Sequence, residues 1–324
     1  MILLSKQKIR YLGKSDLEVS VLAIGSMYFG SKVDKENSFD LLDKYREQGG
    51  NFIDCANKYA SWLPACKGGE AEGVVGEYIH SRGIKNEVVL SSKVGFPYGE
   101  IPRSLSKDVI ISECERSLKR LKTDTIDLYF AHAFDKNTPL EESMEAFHQL
   151  KKQGKIRYAG ASNFQAWQME RANNFANQNA WEGFVALQQK HTYLKPVLGA
   201  DFGTQMVLTP ELVDWCANND VTMMGYSPLQ AGVYTKKGMS LPPQYLNEEN
   251  TQRLEKLNKV AEELNVSANT LVLAWMFQSS PRIIPVVGSS NLKQQSENLL
   301  AAAIDLSPEH LALLNDNVYN NTVY

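Results

Sequence analysis

Cysteine is scarce in this chain. There are four in 324 residues (Cys55, Cys66, Cys114 and Cys216), and no two stand close enough to form a CxxC pair. That excludes a disulfide scaffold and a cysteine-based zinc site, and points to reduced thiols in a cytoplasmic protein. The five histidines form no H-x-H or H-x-x-x-H pair, so no metal is expected. Neither sign of charge dominates. The net charge is −3 with Lys and Arg spread along the chain, which argues against a nucleic-acid groove or an anionic membrane surface as partner. Long apolar runs are missing as well. Met1-Ile2-Leu3-Leu4 gives way at once to polar residues and is too short for a signal peptide or membrane anchor. Without a low-complexity stretch or linker, residues 1–324 are expected to form one domain.

What is present is a recurring pattern of short apolar runs and longer helical segments. The expected strands are Val21–Gly25, Asn51–Asp54, Val88–Lys93, Ile126–Phe130, Ile156–Ser162, Gly183–Gln188, Val221–Tyr226 and Ile283–Val287. Most are continuous rather than alternating, as in parallel strands buried on both faces. Between them, Ile110, Cys114, Leu118 and Leu121 recur at helical spacing, as do Leu140, Met144, Phe147 and Leu150. Thr138-Pro139-Leu140-Glu141 reads as a capping box with proline at the first helical position, and Ser307-Pro308-Glu309 opens a later helix similarly. Two exposed helices are expected after the seventh strand, near 250–265 and 267–279.

Eight strands alternating with helices imply an open doubly wound sheet or a closed barrel. An open dinucleotide-binding sheet would carry G-x-G-x-x-G after its first strand. Here Gly25-Ser26-Met27-Tyr28-Phe29-Gly30 lacks the middle glycine. The expectation is therefore an α/β (β/α)8 TIM barrel, capped by an N-terminal β-hairpin over residues 8–20, with extra helices after strand seven and at the C-terminus.

Polar residues collect at the expected strand ends. Asp54 closes the second strand and Tyr59 follows it. Lys93 ends the third and His132 the fourth, with Ser162 and Asn163 at the fifth and Gln188 at the sixth. In a barrel all of these reach the C-terminal rim, where such folds build active sites. A phenol with a reference pKa of about 10 is a weak acid. A nearby lysine would stabilise its anion, an aspartate would hold the lysine, and a histidine would give a carbonyl oxygen a second hydrogen bond.

In this order the motifs resemble the aldo-keto reductase superfamily over nearly the whole chain. Phe52-Ile53-Asp54-Cys55-Ala56-Asn57-Lys58-Tyr59 is similar to its tyrosine motif, Ser92-Lys93-Val94-Gly95 to its lysine motif, and Asp127 to His132 to its histidine motif. Gly160-Ala161-Ser162-Asn163-Phe164, Tyr226-Ser227-Pro228-Leu229 and the stretch from Gly288 also match. The resemblance implies an oxidoreductase that interconverts aldehydes or ketones, sugars among them, with alcohols or polyols by hydride transfer from NADPH, with NADH open. It implies catalytic Asp54, Tyr59, Lys93 and His132. Ser162, Asn163 and Gln188 would bind nicotinamide. Gly25, Met27, Tyr226, Ser227, Pro228, Leu229 and Gly232 would meet the middle of the cofactor. Gly288, Ser289, Ser290, Gln294, Glu297 and Asn298 would hold its adenosine end.

Three departures from the family stand out. His191 takes the place of a tyrosine expected to stack on nicotinamide. The 2′-phosphate site offers Ser289, Ser290 and Lys293 but no arginine. Between Tyr59 and Glu72 the chain inserts Ser61 to Lys67, a loop whose Trp62, with Phe29, Phe96 and Tyr98, would wall the substrate pocket. Potassium-channel β subunits also resemble this family, so a cofactor-sensing regulatory subunit with little turnover is the alternative. A metal-dependent barrel hydrolase or isomerase using Asp54, His132 and His191 is a weaker one. Substrate identity and oligomeric state are open at this level.

Overall fold

The structure is a computed structural model that describes residues 7–236 and 238–315, so the apolar start Met1–Leu4 lies outside the described residues. Within them a short antiparallel pair, β1 (Ile9–Tyr11) and β2 (Glu18–Ser20), precedes eight parallel strands. These are β3 (Ala23–Gly25), β4 (Phe52–Asp54), β5 (Val89–Val94), β6 (Ile126–Ala131), β7 (Ile156–Ser162), β8 (Ala186–Lys190), β9 (Thr222–Tyr226) and β10 (Ile283–Val287). They pair in chain order and β10 returns to β3, which closes the barrel. The fold is the (β/α)8 barrel with its N-terminal hairpin.

Register fixes which side chains enter the lumen. Asp54 pairs with Ser91, Lys93 with Phe130, Phe130 with Gly160, Ser162 with Gln188, and Lys190 with Tyr226. In parallel strands paired residues share a face, so these rows form layers across the barrel. The lower lumen is filled by Phe52, Val89, Leu128, Phe130, Ala186, Met224, Ile284 and Val286, and Leu12, Leu17 and Val19 of the hairpin plug it from below. Gly160 makes room for one of these rings: a Cβ there would stand 2.6 Å from Phe130. With the bottom plugged, the lumen is left open toward the C-terminal rim, where barrels build their active sites.

Helices α1 (Lys35–Glu47), α2 (Glu70–Arg82), α3 (Lys107–Leu121), α4 (Leu140–Lys152), α5 (Ala166–Gln178), α6 (Pro210–Asn218), α7 (Glu248–Glu263), α8 (Ala268–Gln278), α9 (Leu292–Leu300) and α10 (Pro308–Asn315) surround the strands. The periodic residues of α3 and α4 are buried as their spacing predicts. Ser307 caps α10 by accepting from the His310 amide.

Three local expectations fail. Thr138 does not cap α4, because its hydroxyl donates to Asp135 and Pro139 takes the cap position. Helix α8 is not exposed, since Leu271 to Phe277 are all buried beneath α7 and α9. Strand β8 runs on to Lys190 rather than ending at Gln188, because Lys190 pairs with the returning loop through Met206 and Leu208. Among the described residues no helix is long and apolar enough to cross a membrane.

Candidate active site

Three neighbouring strands and one loop bring the expected catalytic residues together. The Lys93 ammonium lies 2.6 Å from Asp54 Oδ2, 2.6 Å from Tyr59 Oη and 2.8 Å from the Cys55 carbonyl oxygen, so each of its three hydrogens has an acceptor. Asp54 accepts from Ser91 and from the Gln188 amide on its other oxygen, each at 2.9 Å. Both ions are fully buried. Removing two charges from water costs several kcal/mol each, and only such complete hydrogen bonding offsets that cost. Ser91 escaped notice in the sequence. Its signal was alternation alone, two residues before Lys93 on the same face.

Tyr59 reaches this pair from the loop after β4, where Ala60 adopts a left-handed backbone (φ 65°) that turns the chain back at the rim. At rest its hydroxyl donates to Asp54 across 3.0 Å while accepting from Lys93. Burial, then the Asp54 carboxylate, raise its pKa well above the ordinary tyrosine value. Lys93 is thus where the sequence requires it, but Asp54 balances its charge and the phenol stays protonated at rest. The loop itself is tied down from behind. Asn57 donates to the buried Glu113 of α3 across 2.8 Å, and the Tyr98 hydroxyl donates to the same carboxylate.

His132 follows β6. Its amide donates to the Val94 carbonyl, and its own carbonyl accepts from Asn163. Burial, Lys93 and Lys58 hold the imidazole well below its usual pKa, so the ring is neutral near pH 7. Its centroid lies 6.1 Å from the Tyr59 ring and 4.7 Å from Phe96, edge-on to both. A carbonyl oxygen seated between a phenol and a neutral imidazole receives two hydrogen bonds in an apolar surround, the arrangement that stabilises developing alkoxide charge.

The remaining rim residues divide. Ser162, Asn163 and Gln188 gather at this rim, but they already bond to one another and to Asp54 and His132. The Asn163 side chain donates to the His132 carbonyl and Ser162, and accepts from Tyr226 and the Met206 amide. His191 does not enter the lumen. Its register neighbour Lys190 does, and the His191 ring stacks on Trp275 of α8 at 5.7 Å, its pKa lowered to about 4 by burial. The aromatic ring that faces the mouth from this side is Tyr226, at the end of β9.

Beyond Tyr226, Ser227, Gln230, Ala231 and Gly232 all have positive φ. Where the backbone passes between right- and left-handed conformations, as from Leu229 to Gln230 and from Gly232 to Val233, neighbouring amides can turn toward a common anion. Gly25 and Gly288 lie side by side: a Cβ on Gly288 would approach the Gly25 carbonyl oxygen to 3.2 Å. Met27, two residues after Gly25, is exposed. Ser289 accepts from Asn298, Ser290 donates to Gln294, and Glu297 accepts from Ser267 at the start of α8. A glycine-lined floor, a strained amide-bearing turn and a polar helix N-terminus fit an elongated dinucleotide with an anionic centre.

Around the substrate side the structure corrects two residues. Phe29 is buried in the outer core, and the neighbouring Tyr28 takes its place at the rim, edge-on to Trp62 at 6.5 Å. Tyr98 turns away to Glu113. Trp62 is 49% exposed, and successive turns hold its loop, whose end is anchored by Glu70 accepting from the Lys67 and Gly68 amides.

Residues 21–317 match the model of the aldo/keto reductase family. The chain is 31% identical to the uncharacterized oxidoreductase YrpG of Bacillus subtilis, covering 94% of each protein. It is 30% identical to an NADP(+) aryl-alcohol dehydrogenase of Phanerodontia chrysosporium, over 93% of this chain and 83% of that protein. A norsolorinic acid reductase of Emericella nidulans is also 30% identical, with 93% and 79% covered. Among solved structures, the thermostable aldo-keto reductase Tm1743 in complex with the inhibitor epalrestat superposes with a TM-score of 0.76 at 26% identity, covering 95% of this chain and 99% of that one.

Proposed function

The chain belongs to the aldo/keto reductase family, and from that premise we propose that it reduces aromatic aldehydes and ketones to alcohols with NADPH, Tyr59 giving the proton. The observation that carries this reading is the Lys93 ammonium, 2.6 Å from both the Asp54 carboxylate and the Tyr59 hydroxyl. Bound NADPH supplies a hydride to the carbonyl carbon.

The protein's part begins with binding. Tyr226 would face the nicotinamide, with Ser162, Asn163 and Gln188 exchanging their internal bonds for its carboxamide. Ser227, Pro228, Leu229 and Gly232 would turn toward the pyrophosphate over the floor of Gly25, Met27 and Gly288. Ser289, Ser290, Gln294, Glu297 and Asn298 would take the adenosine end. The preference for NADPH rests on Lys293 in the first turn of α9, where the helix N-terminus also favours negative charge, and on the NADP(+) named for the fungal relative.

Proton transfer then falls to this chain's own residues. The Tyr59 O–H swings from Asp54 to the substrate oxygen, a rotation about a single C–O bond. As negative charge grows on that oxygen, Tyr59 releases its proton to it, and Lys93 stabilises the phenolate left behind. His132, neutral, holds the same oxygen with a hydrogen bond. The carbonyl carbon gains hydride, the oxygen gains a proton, and Tyr59 recovers its own from solvent. Aromatic substrates are supported by the Tyr28, Trp62 and Phe96 rings at the mouth and by the names of the fungal relatives.

The test is NADPH oxidation with benzaldehyde and aryl ketones. Tyr59→Phe should lower kcat about a thousandfold while leaving NADPH affinity nearly intact, since proton transfer by a positioned acid contributes 10²–10⁴-fold. Tight NADPH binding with no turnover of any carbonyl by the unaltered protein would point instead to a cofactor-sensing role.

A further inference from the structure

Three cations line the substrate side of the rim, each seated on an aromatic ring. Lys32 lies 4.8 Å from the Tyr28 ring centre, Lys58 4.5 Å from Phe96 and 5.9 Å from Trp62, and Arg103 5.4 Å from Phe96. Among the described residues none of the three has a carboxylate within 4 Å. The cations just behind them do: Arg120 pairs with Glu72, Arg116 with Glu113 and Lys107 with Glu145. The Lys58 ammonium makes no hydrogen bond among the described residues, and the Arg103 side chain donates only to the Phe134 carbonyl. Asp135 feels the charge of Arg103, but its oxygens are taken by the Leu105 and Asn137 amides and the Thr138 hydroxyl.

Two like charges converging on one ring are unfavourable without an anion between them. Contact with an aromatic face recovers only part of that cost. Lys58 is half-buried, and burial followed by Arg103 lowers its pKa. The same lysine is one of the charges that His132 feels. One ring separates His132 from Lys58: the imidazole meets Phe96 at 4.7 Å and the ammonium lies 4.5 Å from the same ring centre.

We propose that the carbonyl substrate carries a carboxylate, which Lys58 and Arg103 grip above Phe96 while the carbonyl sits at Tyr59 and His132. This rests on the carbonyl-reductase reading above and adds the charge of its substrate. A carboxylate matches the guanidinium fork and the point charge of the ammonium together. A benzene ring with para-disposed carbonyl and carboxylate would lie along the aromatic arc.

The experiment compares kcat/KM for 4-carboxybenzaldehyde with that for its neutral analogue, methyl 4-formylbenzoate, using the full chain and NADPH. The acid should be preferred about tenfold at low ionic strength, and the preference should shrink with salt. Lys58→Met and Arg103→Met should each erase most of that ratio, which cancels any general loss of activity. An acid no better than the ester, or a ratio unchanged in both variants, overturns the proposal.

Calorimetric binding of terephthalate against dimethyl terephthalate reads the same grip without turnover. Terephthalate binding that requires Lys58, in a protein that reduces neither aldehyde, would uphold the grip and reject the reductase. Reduction of both aldehydes with no charge preference, and no tighter binding of terephthalate, would do the reverse.

Discussion

Lys93 and Lys58 stand one shell apart at the same rim and could hardly be treated more differently by the fold. Lys93 is fully buried, and all three of its hydrogens are taken by Asp54, Tyr59 and the Cys55 carbonyl. Lys58, one residue before Tyr59, is half-buried over Phe96 with no carboxylate within 4 Å among the described residues. A charge that the protein satisfies completely belongs to the protein's own machinery. A half-buried charge left over two rings beside His132, with no carboxylate on it among the described residues, is available to a ligand. His132 stands between the two, and both lysines help to keep it neutral.

The comparison can be broken most severely at the inner site. Lys93→Met should lower kcat at least a hundredfold and destabilise the fold by about 3–5 kcal/mol in urea titration, because it leaves Asp54 buried without its cation. Adding Asp54→Asn should recover part of that stability, and a double mutant as unstable as the sum of the singles would deny the coupling.

The acid limb of stability is a smaller effect. His132 and His191 both titrate below the unfolded value of about 6.5, His191 near about 4. Above pH 6.5 both are neutral in either state and stability is full. As the pH falls below 6.5 the unfolded chain takes up protons that the fold refuses. Stability should then drop by up to about 1.4 kcal/mol per pH unit for each histidine. His191→Phe should flatten the part of this limb between pH 6.5 and 4, and an unchanged slope would count against it.

At the outer site the effects shrink further. Trp62→Ala should raise KM for aryl aldehydes severalfold with little change in kcat, since it removes a ring from the wall and nothing from the proton path. Should kcat fall with KM untouched, the loop would have another role. The smallest effect sharpens the contrast most. Lys58→Met should change stability by no more than about 0.5 kcal/mol, as befits a side chain without an ionic partner.

The division between rim and lumen explains what could be read in advance. Short apolar runs at regular spacing gave eight barrel strands to within a few residues, because a strand buried on both faces must be continuously apolar. Asp54, Tyr59, Lys93 and His132 were legible because polar residues at the ends of such runs have few structural uses. His191 and Phe29 lie away from the lumen and the rim for one reason. A shift of one residue along a strand or turn exchanges inside for outside, and spacing from a motif does not fix that parity. The extension of β8 to Lys190 puts His191 against Trp275, and the turn at Ser26–Phe29 buries Phe29 and presents Tyr28.

The α4 cap fails similarly, since Thr138 is claimed by Asp135 from the preceding loop. By itself, then, the sequence determined the strand count, the closed barrel and the four residues at its mouth, all of which depend on local pattern and chain order. Only the tertiary structure decided that Lys58 is left without a carboxylate while Arg116 and Arg120 nearby receive one. Ion pairing at this rim depends on carboxylates brought from other strands and helices, and no local pattern records which of them arrive.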